Sequence, residues 1–552
     1  MSPVHKRVVA LVVVHGMGAQ RRSETLLQWS EPLLRRLDWL SRGSGGDGVT
    51  FERVALAGDS PDEVNARVRF RGDEGAQHEV VLVVTEARWA ESFLPLQPGE
   101  VFSWGGSFAW RALLRLGVHF SRILWVNPWW RVASAPLVAA LWVALFAVGL
   151  VLALLFPLLG LLLLVPGLSA LVRGVTSGLA EFVGDVAVWT RRPVRAAAMR
   201  AVVRDGVRAA SVRAALLARA EGVEVDATRV VLLAHSQGAT IAAQTLFDSA
   251  TGEPRTPVDA FVTVGSTLTL LGAPRWTSGR FAGVRAAVAG VRRPGSGSAG
   301  SGARFSPVEE WARLNRPPRW LNLWAVWDPF TAGTVSTSMR ARELRWREVN
   351  GGPATEATGP EEHPVHNTAN PFTDHQSYAR NTAQVIDPLV RLLTGSALAD
   401  PAASARSAAH ARGVRQLGAG RILALCLALV LLVSPTVPAA LDPVVDLFAP
   451  GAGQLPAVLR AVVAVVVGIV ALWANGSLWR AWVEKVEWAP PGTTARRVWI
   501  GGFVLRTVLL GGLWWALGGP AVIPPGWAAL AAVVVLVLPQ VGRLPRVLPE
   551  RR

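Results

Sequence analysis

The sequence has a single cysteine, Cys426, and it lies in an apolar run. No intrachain disulfide framework is possible, and a metal site would have to be assembled from histidines and carboxylates. The histidines are dispersed, none at ligand spacing with carboxylates on one helix face, so neither a metal nor another cofactor is expected. Lysine is almost absent: only Lys6 and Lys485 occur, and arginine supplies the rest of a formal net charge of +17. The arginines are scattered, often beside apolar runs, and no nucleic-acid motif accompanies them. Nucleic acid is therefore not an expected partner, and retention of positive loops on the cytoplasmic side accounts for the charge. A secretory signal is not expected either. Val8 to Val14 is apolar after Lys6-Arg7, but it is only strand-length and runs into His15-Gly16-Met17-Gly18 rather than a cleavage site.

Charge is missing altogether from Ala135 to Val172, 38 residues in a row. One straight span needs about 20 residues, so this run is read as a tight helical hairpin turning near Phe156-Pro157. The segment before it, Phe102 to Arg131, mixes Trp104, Trp110, Trp125, Trp129 and Trp130 with Arg111, Arg115, Arg122 and Arg131. That pairing suits the headgroup layer of a bilayer; an amphipathic helix packed on a sheet is the plainer alternative. Four more apolar runs follow near the C-terminus: Ile422 to Leu441, Val458 to Trp473, Val498 to Leu517 and Val522 to Val541. The loop after the first carries Asp442 and Asp446 without Lys or Arg. The next loop carries Arg480, Lys485, Arg496 and Arg497, and the tail carries Arg543, Arg546, Arg551 and Arg552. This alternation implies a multi-pass protein of the inner cell membrane, with six spans and its remaining mass in the cytoplasm. Arg506 falls mid-span, where a charge demands a partner or a function.

The 552 residues are 51% hydrophobic, and between the membrane segments they alternate strand and helix patterns. Continuous β-rich runs occur at Arg7 to Val14, Glu79 to Thr85, Arg229 to Leu233, Ala260 to Val264 and Trp320 to Val326. Helical patterns cover Glu24 to Leu40 and Pro193 to Ala220. Such alternation predicts an α/β fold, a mostly parallel sheet with helices on both faces. Gly279 to Arg304 is a Gly/Ser/Ala/Arg-rich loop, a linker or a lid. Pro401 to Gly418 reads as a second linker. The expected organisation is 1–131, the inserted hairpin 132–173, 174–395, a linker 396–419, and a transmembrane region 420–552 of about four helices.

One stretch points to chemistry. Val230-Val231-Leu232-Leu233-Ala234-His235-Ser236-Gln237-Gly238 is a strand ending in small-x-Ser-x-Gly, followed by a helical pattern. A serine on such a turn is pushed out above a sheet edge as a nucleophile. It requires a base and a group to orient that base. Asp328 follows the strand Trp320 to Val326, at the edge where α/β sites form. His375 precedes the final helical pattern, in Thr373-Asp374-His375-Gln376-Ser377-Tyr378. His363 and His366 fall in a Pro/Glu-rich loop and His410 in the linker, while Asp374 is an alternative orienting acid. Oxyanion donors are expected from the backbone of Gln237 and of Met17, with Gly18 close behind. Gly16, Gly18 and Gly238 let backbone approach, and His15 suits a buried role fixing its loop.

Together, strand-His-Gly, Ala-His-Ser-Gln-Gly, strand-Asp-Pro and Asp-His-x-x-Tyr resemble the α/β-hydrolase superfamily, most of all its lipase-like branches joined to membrane segments. The resemblance covers residues 1–131 and 174–395, with Ala234 where the commonest elbow has glycine. It implies Ser236 as nucleophile, Asp328 as acid and His375 as base. The expectation is a membrane-embedded serine esterase or lipase, with the bilayer as partner and a lipid-like acyl ester as substrate. The alternatives are an acyltransferase or thioesterase with the same triad, or a non-catalytic membrane protein using this domain as a scaffold. Protein partners are not legible.

Overall fold

The computed structural model describes residues 4–56, 62–90, 192–224, 228–247, 258–271, 316–331, 360–433, 457–488 and 493–529, apart from positions 19, 73, 74, 315, 326, 371, 372, 396 and 399. Scattered positions of 110–189 and 310–314, and position 532, are also described.

Strand β1 (His5–Val14) is apolar on both faces, as a central strand must be when helices cover both sides of a sheet. It pairs in parallel with β4 (Gln77–Ala87) on one side and β5 (Thr228–His235) on the other. Beyond β5 lie β6 (Ala260–Val264), β7 (Arg319–Ala325) and β8 (Glu361–Val365), all parallel. Beyond β4 lie β3 (Glu63–Arg71) and β2 (Gly48–Ala55), both paired antiparallel. The result is one mixed, mostly parallel eight-stranded sheet in the order β2-β3-β4-β1-β5-β6-β7-β8.

Alternate residues of β1 feed two cores. Val9, Leu11 and Val13 pack with Leu26, Trp29, Leu33 and Leu37 of α1 (Glu24–Gly43) and with Leu389, Val390 and Leu393 of α5 (Asp387–Thr394). Those α1 residues recur at helical spacing and form one buried stripe, each contributing about 1.5–3 kcal/mol when fully buried. Val8, Ala10, Val12 and Val14 pack instead on α2 (Pro193–Ala220) and α3 (Gln237–Phe247). The buried stripe of α2 is mostly small: Ala196, Ala210, Ala214 and Ala218 beside Met199, Val203 and Val207. Small side chains bring this helix close to the sheet. A single-turn helix, α4 (Leu268–Leu271), follows β6.

Three apolar helices follow: α6 (Ala403–Val433), α7 (Ala457–Trp488) and α8 (Thr493–Ala516). They pack through Leu423, Leu427, Leu431, Ala464, Ala471, Leu509 and Ala516. Their outward faces are also apolar, including Leu425, Leu429, Val465, Ile469, Val504 and Val508. Among the described residues, two stretches are long and apolar enough to cross a membrane, Ala403–Leu432 and Ala461–Val483; Ile500–Ala516 and Trp142–Val151 are shorter apolar helices.

Three sequence readings need correction. The linker expected over 396–419 is helical from Ala403 onward. Alanine and arginine are strong helix formers, and the segment buries Arg406, His410, Val414 and Leu417. The Pro/Glu-rich segment around His363 is not a loop but the edge strand β8, where Pro364 is tolerated because an edge strand need not donate on both sides. The antiparallel pair β2–β3 was not expected, although Val64, Ala66, Val68 and Phe70 alternate inward at period two. The turn at Phe156-Pro157, most of Phe102 to Arg131, the loop Gly279 to Arg304 and most of Val522 to Val541 lie outside the described residues.

Candidate active site

The C-terminal ends of β1, β5, β6 and β7 meet where strand order reverses around β1, the edge at which open α/β sheets build their sites. Ser236 joins β5 to α3 there with φ of 55°, a left-handed conformation that a serine adopts only under strong constraint. The constraint is visible. Ser236 N donates to Val264 O at 3.0 Å. A Cβ on Gly16 would stand 2.7 Å from Ser236 Cβ, and one on Gly238 would stand 2.3 Å from His15 O. Only glycine at both positions lets the β1 loop close over the elbow.

Asp328 and His375 arrive from two other loops. Ser236 Oγ lies 2.8 Å from His375 Nε2, and His375 Nδ1 lies 2.7 Å from Asp328 Oδ2. With Nδ1–H donating to the carboxylate, Nε2 carries the lone pair and the serine hydroxyl donates to it. The three residues expected from the sequence are thus one buried hydrogen-bonded chain. Asp328 Oδ1 accepts from Phe330 N at 2.9 Å, and Oδ2 accepts from the Tyr378 hydroxyl at 2.7 Å. Burial opposes the charge of Asp328, but His375 and these donors outweigh it and hold the carboxyl below its usual range. Tyr378 is pushed well above the ordinary tyrosine value by burial and by the Asp328 charge, so its hydroxyl remains a donor. The same hydroxyl accepts from Ala325 N at 2.7 Å.

On the β1 side of Ser236, His15 is tied into its loop by hydrogen bonds. Its Nδ1–H donates to Gly16 O at 2.8 Å, and Nε2 accepts from Trp89 N and Ala90 N. Burial pushes its imidazole down to about 4, which keeps the ring neutral and this tautomer fixed. Met17 is half-buried and follows Gly16, whose position abuts Ser236, and Gln237 opens α3, where backbone N–H groups have no helical partner. Gly18, in contrast, is already engaged: its N–H donates to Asp185 Oδ2 at 2.8 Å. Asp185 O also accepts from Gln237 Nε2 at 3.1 Å. This leaves the Met17 and Gln237 backbone N–H groups as the candidate oxyanion donors, with the Gly18 N–H already taken by Asp185.

Three participants, Asp185, His235 and Tyr378, were not assigned from sequence. Asp185 had no local signal, because it meets the loop across 167 residues. His235 Nε2 donates to His375 O at 3.0 Å and its ring packs on His375. Tyr378 carried a signal as the single tyrosine of the chain. Asp374, considered as an orienting acid, turns its carboxylate to Trp327 N and Thr368 N instead of to His375. The other histidines stay away from Ser236: His363 is exposed on β8, and His366 and His410 are buried against each other's elements. Among the described residues no cluster of His, Cys, Asp and Glu could hold a metal ion.

A serine hydroxyl donating to a neutral imidazole that is itself oriented by a buried carboxylate can lose its proton as it attacks a carbonyl carbon. Comparison of the chain with protein-family models, with curated proteins and with solved structures gives no match.

Proposed function

We propose that the protein is a membrane-embedded serine hydrolase of esterase or lipase type, built on an α/β-hydrolase-type domain, which cleaves lipid-like acyl esters through a covalent acyl-enzyme. The observation that carries this reading is the chain Ser236–His375–Asp328, with distances of 2.8 and 2.7 Å, on a serine held at positive φ. In this mechanism Ser236 Oγ attacks the ester carbonyl while His375 Nε2 takes the hydroxyl proton. The Met17 and Gln237 N–H groups receive the developing oxyanion. Collapse expels the alcohol, which takes the proton from His375. Water, activated by the same imidazole, then releases the acid.

The membrane part of the proposal is supported by the apolar outward faces of α6, α7 and α8, since a water-exposed helix would carry polar residues there. We place the α/β domain on the cytoplasmic side on the strength of Arg480 and Lys485 in the C-terminal part of α7, Arg496 and Arg497 at the start of α8, and the arginine-bearing tail.

Activity-based labelling with a fluorophosphonate on the detergent-purified protein tests the chemistry. Labelling is expected in the wild type and lost in Ser236→Ala and His375→Ala. Asp328→Asn should slow turnover of an activated ester by roughly 10⁴-fold, because the imidazole loses its orientation and tautomer. A wild type that never labels, or a Ser236→Ala variant that labels equally well, overturns the reading. Product analysis with an added alcohol separates hydrolysis from acyl transfer.

A further inference from the structure

The loop that carries His375 is held from outside the α/β unit. Its described residues between β8 and the short 3-10 turn Asp374–Gln376 form no helix or strand, and Ala369 adopts φ of 52°. A non-glycine residue in that region costs on the order of 1–3 kcal/mol and persists only where its surroundings over-determine it. The surroundings are α6. Arg421 Nη1 donates to Thr368 O. His410 Nε2 donates to His366 O at 2.8 Å. A Cβ on Gly418 would lie 3.1 Å from Ala369 Cβ, so the helix backbone comes directly against the left-handed residue.

The contacts continue inward. Thr368 N and Oγ1 donate to Asp374 Oδ1 at 2.6 and 3.1 Å. Asp374 Oδ2 accepts from Trp327 N at 3.2 Å, and Asp374 O accepts from Asn367 Nδ2 at 2.9 Å. Trp327 immediately precedes Asp328, and Asp374 immediately precedes His375. One fully buried carboxyl therefore ties the acid loop to the base loop, and α6 holds the far side of that tie.

We propose that helix α6 positions the proposed catalytic base, with Arg421, His410 and Asp374 as positioning residues that hold the 366–376 loop where His375 meets both Ser236 and Asp328. The inference rests on the serine-hydrolase reading above and gives the apolar helices a part in it beyond anchorage. Within one turn of Arg421 the outward face of α6 becomes apolar at Leu425, so the rod that supports the base loop is the one proposed to enter the bilayer. The site tolerates little play: a displacement of ~1 Å costs on the order of 100-fold in rate.

The test uses the full-length protein in detergent as wild type, Ser236→Ala, Arg421→Gln, Arg421→Lys and Gly418→Val. The fluorophosphonate labelling rate is measured together with the thermal unfolding midpoint. Arg421→Gln is expected to slow labelling at least tenfold. Arg421→Lys should recover most of that, because an ammonium can still donate to Thr368 O. Gly418→Val should slow labelling by displacing Ala369, with no hydrogen-bonding group removed. Wild-type rates in Arg421→Gln and Gly418→Val, beside Ser236-dependent labelling of the wild type, would overturn the positioning role and leave the hydrolase reading intact. An Arg421→Lys variant as slow as Arg421→Gln, both with a lowered midpoint, would overturn it in favour of general destabilisation. No labelling of the wild type removes the hydrolase reading and this inference with it.

Discussion

Tyr378 shows how much of the site hangs on single groups outside the triad. Its hydroxyl donates to Asp328 and accepts from Ala325 N, and its ring fills the space where Gly265, at φ of 56°, has no Cβ. Tyr378→Phe leaves Ala325 N without a partner in the core and removes one donor from Asp328. It should lower stability by about 1–3 kcal/mol and slow fluorophosphonate labelling, both measurable on one preparation. His366 makes the opposite case. Its ring is buried, and burial pushes its imidazole down to about 3. An unfolded histidine titrates near 6.5, so between pH 6.5 and about 3 the unfolded chain binds a proton there that the folded chain refuses. Stability carried by the neutral ring is thus full above pH 6.5 and is lost as pH falls through that window. His366→Leu escapes this loss. Its stability relative to wild type should rise by about 1.4 kcal/mol for each pH unit below 6.5, as read from denaturant midpoints at pH 7, 6 and 5. A pH-independent difference would rule out a buried neutral histidine at this position. His235, pushed to about 3 by burial and by His375, stays neutral over the same range. His235→Gln should therefore leave the midpoint of a labelling pH profile in place.

At the scale of elements, the strand-turn-helix around Ser236 depends on glycines that belong to other segments as much as to its own. Gly238→Ala drives a Cβ against His15 O, a backbone atom that cannot move without β1. The expected result is loss of labelling together with a lowered unfolding midpoint; a fully active Gly238→Ala would show that the elbow is looser than its φ implies. Helix α1 contributes a buried charge, Arg36, to the junction with the apolar helices. Arg36 donates to Asp387 at 2.6 and 3.0 Å, to Asp400 at 2.9 Å and to Glu487 O at 2.8 Å, with its guanidinium 4.4 Å over Trp39. Four parts of the chain thus converge on one side chain: α1, α5, the turn leading into α6 and the end of α7. Removing it strands carboxylates in a dry site, so Arg36→Met should cost about 3–5 kcal/mol in a urea titration. The sequence signalled none of this. Arg36 falls among surface-like charges of an amphipathic helix, and its partners lie 351 and 364 residues away.

At the scale of the molecule, the α/β domain and the apolar helices share polar contacts instead of a slack tether. Gln384 donates to Ser407, Thr382 N donates to Glu487, and the Arg36 cluster closes the same junction. A protein built this way should remain with membranes after alkaline carbonate washing and should unfold in detergent as one transition; release by the wash would count against the membrane assignment. Arg506, expected as a lone mid-span charge, is buried and donates to Gln416 Oε1 at 3.3 Å, so it has a structural partner on α6. The sequence by itself determined the central strands, because their continuous β-branched runs are a local property. It determined the start of α2 through Pro193, and it pointed to Ser236 and Asp328 through their places at strand ends and to His375 through its place before the final helical pattern. Only the tertiary structure decided the edge strands, whose mixed polarity makes them strands only when a neighbour is present. It also decided that 403–418 is helix, that Gly18 is occupied by Asp185, and that Asp374 serves the loops rather than the imidazole. The Asp185–Gly18 and Asp374–Trp327 contacts join residues far apart in the chain, of which local patterns carry no trace; the helix over 403–418 and the alternation in β3 have local signals, but which segments they pack against is settled by the same kind of distant contact.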